Sequence, residues 1–209
     1  MVSDDSPAQE RARLAREAIK LIARRGDAIS RATLALELRQ SRARIEAIFP
    51  DEDDLFSAIV DEWYADDADF MAEIVQSELP VRRKMYEFYV WRYKRERERY
   101  RADPATFELF VELGSARFEL VRGYIELADH HLSEIIAEAQ ADGYFPGLSL
   151  DRALTLINQM VICYTSPQMM IIVDDRLAED KLAAIVDTIF DGLAGRDGGA
   201  AGTTKLHAA

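Results

Sequence analysis

The sequence predicts an all-α protein of about nine helices. Three observations carry that prediction. Apolar residues recur at three- and four-residue spacing along most of the chain, residues that cap helix starts stand ahead of successive stripes, and no alternating strand pattern or internal repeat competes.

A first helix is predicted from near Pro7 to Arg25, with Leu14, Ala18, Leu21 and Ile22 inward and Gly26 as its C-terminal cap. Ser30 caps a short second helix with Leu34 and Leu38 inward, and Ser41 caps a third with Ile45, Ile48 and Phe49 inward. Pro50 ends the third, because the residue before a proline is pushed out of the helical region. Asp51 caps a fourth helix, whose stripe from Leu55 through Trp63 to Val75 predicts a continuous rod to about Glu78. Pro80 opens a fifth helix ending near Arg101, and Asp103-Pro104 starts a sixth. Gly114-Ser115 separates the sixth from a seventh running to about Asp142. The turn Gly143-Tyr144-Phe145-Pro146-Gly147 precedes an eighth helix from roughly Leu150 to Val173 and a ninth from Ala178 to Leu193. The Gly/Ala-rich end predicts disorder. Three segments follow: a head at 1–50, a helical body at 51–194 and a tail at 195–209.

A chain of 209 residues, 49% hydrophobic, can bury a substantial core. No apolar run approaches the ~20 residues of a membrane span. The richest stretch, Met160 to Val173, is interrupted by Ser166, Pro167 and Gln168, so a buried helix is expected and a membrane partner is not. The N-terminus MVSDDSPAQE lacks the basic and apolar regions of a signal peptide, and the single cysteine, Cys163, excludes an intrachain disulfide framework. Both predict a cytoplasmic protein. The net charge of −12 argues against nucleic acid, but its distribution matters more. Residues 1–50 carry ten Lys/Arg against seven Asp/Glu, a balance of +3, leaving −15 for the remainder. A mildly basic head on an acidic body is compatible with local DNA contact.

In the head, Leu34, Leu38, Ile45, Ile48 and Phe49 can lock two short helices across a turn, leaving Arg42, Ala43, Glu46 and Ala47 on the exposed face of the second. Arg25-Gly26, then Ser41-Arg42-Ala43-Arg44-Ile45-Glu46-Ala47-Ile48-Phe49-Pro50 and a long helix beginning at Asp51, resemble the head of the tetracycline-repressor (TetR) family. The resemblance implies a helix-turn-helix head on a helical ligand-binding and dimerisation domain. It implies a ligand-responsive transcriptional regulator, most simply a homodimeric repressor released from an inverted-repeat DNA operator by a largely apolar small molecule. The DNA contacts would come from Ser30, Arg31, Gln40, Ser41, Arg42, Ala43, Arg44, Glu46 and Ala47. Three departures stand out. Arg39 holds a turn position commonly filled by glycine, and the segment from Gly26 to Phe49 is one residue short. Glu46 and Glu52 stand where the family commonly has a phosphate-contacting aromatic and a basic residue.

The fifth, sixth and seventh helices spread aromatic residues over several faces, which suits an apolar chamber with few polar handles. By the resemblance, Phe88, Trp91, Phe107, Phe110, Tyr124, Met160 and Tyr164 are wall candidates. The last two helices would form the dimer seam through Leu154, Ile157, Val161, Leu182, Ile185, Val186, Ile189 and Phe190. The alternating-sign run Arg92 to Arg101 predicts a solvated helix face. His130, His131 and Glu134 lack a second ligand cluster, so no metal is expected. No phosphate loop, GxSxG or CxxC motif is present, so neither a cofactor nor an enzyme is expected. One alternative stays open: a dimeric small-molecule-binding protein of the same fold that has lost sequence-specific DNA binding.

Overall fold

The computed structural model describes residues 6–193, and among these it contains eleven α-helices and no strand. They are α1 (Pro7–Arg25), α2 (Arg31–Glu37), α3 (Arg42–Ile48), α4 (Glu52–Trp63), α5 (Ala65–Gln76), α6 (Val81–Ala102), α7 (Pro104–Ala116), α8 (Phe118–Ala141), α9 (Leu150–Thr165), α10 (Pro167–Val173) and α11 (Glu179–Gly192), with one 3₁₀ turn at Asp174–Arg176. The tail expected from Gly195 lies outside the described residues.

The all-α class holds, and the rise from nine helices to eleven has local causes. The fourth predicted rod breaks at Tyr64, which leaves helical geometry (φ −104°, ψ 7°) and accepts backbone hydrogen bonds from both Asp67 and Ala68. The eighth breaks at Ser166, held extended before Pro167, and the two pieces diverge by 55°. Gly114 and Ser115 do not interrupt α7, which closes instead at Arg117. Among the described residues no single helix is long and apolar enough to cross a membrane.

The chain divides into two compact units, Met1–Ala68 with Ala102–Ile125 and Asp69–Arg101 with Glu126–Ala209. In the first, Leu14, Ala18 and Ile22 of α1 share a core with Leu34, Ile45, Phe49, Leu55 and Ile59, and Leu109, Phe110 and Leu113 of α7 pack against it. Burying each large aliphatic or aromatic side chain contributes about 1.5–3 kcal/mol. Arg11 fastens three elements around this core. It donates to both carboxylate oxygens of Asp54 at 2.7 Å and to the Ile48 carbonyl at 3.1 Å, and lies over the Phe49 ring at 5.0 Å.

The core of the second unit is built from Met85, Phe88, Tyr89 and Tyr93 of α6, Leu132, Ile135 and Ile136 of α8, Ile157 and Val161 of α9, and the stripe of α11. One charge is buried with it. Lys84 donates to the Val75 carbonyl at 3.0 Å and to Glu138 at 2.7 Å, so its ammonium is paired as burial requires. Arg97 and Arg101 reach Asp174 at 2.6 and 3.0 Å, so the charged run of α6 is partly engaged within the unit and not simply solvated.

Candidate functional site

The helix-turn-helix expected in the head is present as α2, a tight turn and α3. Arg39 takes the left-handed conformation at φ 52°. Around it the Arg39 amide donates to Leu36 at 3.2 Å and the Gln40 amide to Ala35 at 2.9 Å, the paired bonds of a Schellman cap. The Ser41 hydroxyl then accepts from the Arg44 amide at 3.2 Å and starts α3. Ser30 caps α2 in the same way, accepting from the Thr33 amide at 3.1 Å.

Ile45 is fully buried on the inward side of α3, whereas Ser41, Arg42, Ala43, Arg44, Glu46 and Ala47 are exposed. Ser30, Arg31 and Gln40 are half-buried. Each nominated arginine has a carboxylate partner. Arg42 donates to Glu46 at 2.7 Å, Arg44 pairs with Glu10, and Arg31 reaches Glu52 through its own amide at 3.0 Å and its side chain at 3.2 Å. Arg31 also donates to the Phe49 carbonyl at 3.0 Å, tying the start of α2 to the end of α3. Glu10 is the member of this arrangement that sequence reading missed. It lies 34 positions from Arg44, and only the packing of α1 brings it near.

The seven wall candidates divide between the units. In the first, Phe107 is buried, Phe110 lies 4.2 Å from Trp63, and Tyr124 stacks on Tyr64 at 3.8 Å and 12°. In the second, Phe88 is buried, Trp91 stacks on Phe70 at 4.2 Å and 8°, and Tyr164 donates to the Ala178 carbonyl at 3.2 Å. Met160 is exposed. A partly buried polar line runs through the second unit: the Tyr89 hydroxyl lies 3.5 Å from Asn158, which donates to Asp129 at 2.8 Å. Burial pushes the Tyr89 phenol far above its ordinary range, so it stays a neutral donor. The second unit also carries an open cleft of about 390 Å³ on α6. Its lining includes Trp91, three cations (Arg83, Lys94, Arg95) and three carboxylates (Glu87, Glu98, Glu179), a more polar surface than the apolar chamber expected.

Most of the seam candidates pack within the chain itself. Ile157, Val161, Leu182, Val186, Ile189 and Phe190 are at most 1% exposed within the single chain, and Leu154 and Ile185 are half-buried. The stripe that periodicity marks is the inward stripe of the second unit. The apolar side chains left to solvent on α9 and α10 are others: Leu150, Met160, Ile162, Met169 and, at 72% exposure, Ile172. His130 and Glu134 pair at 3.0 Å on an exposed helix face, and no group of three or more candidate metal ligands occurs among the described residues.

A search of curated proteins returned no match. The family model described as the tetracyclin repressor-like C-terminal domain matches residues 81–186, just over half of the chain and most of the second unit. With a helix-turn-helix geometry near its N-terminus and that domain over residues 81–186, the chain belongs to the tetracyclin repressor-like (TetR) family.

Proposed function

We propose that this TetR-family regulator is a homodimeric, DNA-binding repressor of the cytoplasm, released from an inverted-repeat operator by a largely apolar small molecule. The observation that carries the reading is the α2–α3 geometry: a capped turn, a buried Ile45 and an outward face free of packing, in a chain with the family's C-terminal domain. The aromatic pairs around Trp63, Tyr64 and Trp91 support an effector with ring systems. The exposed apolar side chains of α9 and α10, among them Met160, Ile162, Met169 and Ile172, support association with a second copy, which would set two heads on one DNA face.

A second reading is favoured by the pairing of Arg31, Arg42 and Arg44 with Glu52, Glu46 and Glu10: a dimeric ligand-binding protein that no longer reads DNA. Exposed pairs of this kind are worth only about 0–1 kcal/mol each, so phosphates can displace them. The charges they leave beside the DNA lower affinity without forbidding it. A mobility-shift titration at low salt, with the protein and its flanking intergenic DNA, separates the readings. A repressor binds, Arg44→Ala weakens binding and flattens its salt dependence, and Glu46→Tyr tightens it. Binding by Glu46→Tyr alone supports the second reading.

A further inference from the structure

The outward face of α3 has an unusual chemistry. Successive helical residues are about 100° apart, so with Ile45 pointing inward the opposite direction falls between Ala43 and Ala47. The crown of the helix is therefore two exposed methyl groups, one turn apart. Charge is confined to the flanks, with Arg42 and Glu46 on one side and Arg44 on the other, their arginine side chains 74% and 53% exposed. The groups able to make paired hydrogen bonds with a base edge lie off this crown. Arg42 donates its Nε to Glu46, Ser41 accepts the Arg44 amide as a cap, and Gln40 is half-buried in the turn.

In the major groove the one apolar feature of a base pair is the C5-methyl of thymine. Small crown residues let the helix backbone come close to it, and cationic flanks fit the phosphate walls on either side. On the reading that this head binds DNA, we infer that α3 recognises its half-site through thymine methyl groups, Ala43 and Ala47 each seating against one. Residues four apart are separated by about 6 Å along a helix. Base pairs rise about 3.4 Å, so the two methyls belong to positions about two steps apart. Arg42 and Arg44 exchange their carboxylates for phosphates and position the helix without adding base preference.

The test uses the full-length protein and a pool of random duplexes. Selection should enrich an inverted repeat whose half-sites each hold thymines about two steps apart. Replacing either thymine by deoxyuridine removes only the methyl group. Burying one such carbon is worth about 0.8 kcal/mol, a loss of roughly 4-fold per position and about 15-fold for both. The salt dependence should not change, because no phosphate contact is lost. Ala43→Gly and Ala47→Gly proteins should each become insensitive to uracil at one position; the uracil series on the unaltered protein stands even if a variant folds poorly. An enriched operator whose binding ignores the loss of methyls overturns the inference and leaves the repressor reading intact. Failure to enrich any sequence overturns both.

Discussion

Replacing Arg39 by glycine should stabilise the protein, although it removes a charged side chain from the surface. Arg39 sits at φ 52°, the C′ position of the cap that ends α2. The same pair of backbone bonds closes α8, where the Gly143 amide donates to Gln140 at 3.1 Å and the Tyr144 amide to Ala139 at 2.9 Å around φ 89°. One chain thus carries the same motif with and without a β-carbon. A left-handed residue with a β-carbon costs about 1–2 kcal/mol. Glycine gives back about 0.5–1 kcal/mol through its freer unfolded chain. The net gain expected for Arg39→Gly is about 0.5–1 kcal/mol, or about 1–4 °C in Tm for a chain of this size. Arg39 is exposed and has no ion pair among the described residues, so losing its charge should cost little. Arg39→Ala separates the causes: it keeps the β-carbon and should stay within about 0.5 kcal/mol of the parent. Urea and thermal unfolding of the three proteins at one concentration provide the measurement. Equal stability of the glycine and alanine variants, or a glycine variant weaker than the parent, would refute strain as the governing factor.

Other outcomes follow from the ion pairs and the exposed apolar side chains of α9 and α10. Glu138→Ala should lower stability by about 1–3 kcal/mol by leaving the Lys84 ammonium with only the Val75 carbonyl, and Lys84→Met in the same chain should recover most of the loss in urea unfolding. Hydrogen bonding from Arg11, partly opposed by burial, holds the Asp54 carboxyl below its ordinary value of 3.8. Its contribution is therefore fully present above about pH 5 and is lost as pH falls through 3.8 and below. Asp54→Asn should flatten that acid limb in unfolding curves taken at successive pH values. Ile172→Asp should give a folded monomer in sedimentation, whereas Ile189→Asp should unfold the second unit, because Ile189 is fully buried within one chain. A normal dimer from Ile172→Asp would move the seam to another face.

Residues that act on their own backbone were the easiest to read. Ser30, Ser41, Asp51 and Asp103 all cap helices, and Pro7 and Pro104 open them, because capping depends on neighbours within one turn. Tyr64 has no such signature: it interrupts a rod without glycine or proline, and its ring is held against Tyr124, sixty positions away. Pro167 is visible in the sequence, but the apolar residues on either side of it fit one long helix as well as two. Periodicity showed that α11 is amphipathic, yet a stripe looks the same whether its partner is the chain's own core or a second copy. The head arginines were legible as exposed cations. Glu10, which neutralises one of them, was not, because its position depends on how α1 docks.

Arg11 has a consequence for how the first unit opens. Its guanidinium holds the last carbonyl of α3 at Ile48 and the carboxylate of Asp54 in α4, with the Phe49 ring beneath it. To fray α3 away from α4, or α1 from either, the same cation must release several acceptors together. Amide hydrogens in the buried turns of α1, α3 and α4 should then exchange through a shared opening, with a common free energy, and not helix by helix. Arg11→Ala should split that opening into separate events, with α3, seven residues long, exchanging first. A helix that short derives almost no order from its own backbone. Its order comes from what packs against it: Ile45 in the shared core, Arg31 of α2 and Arg11 of α1.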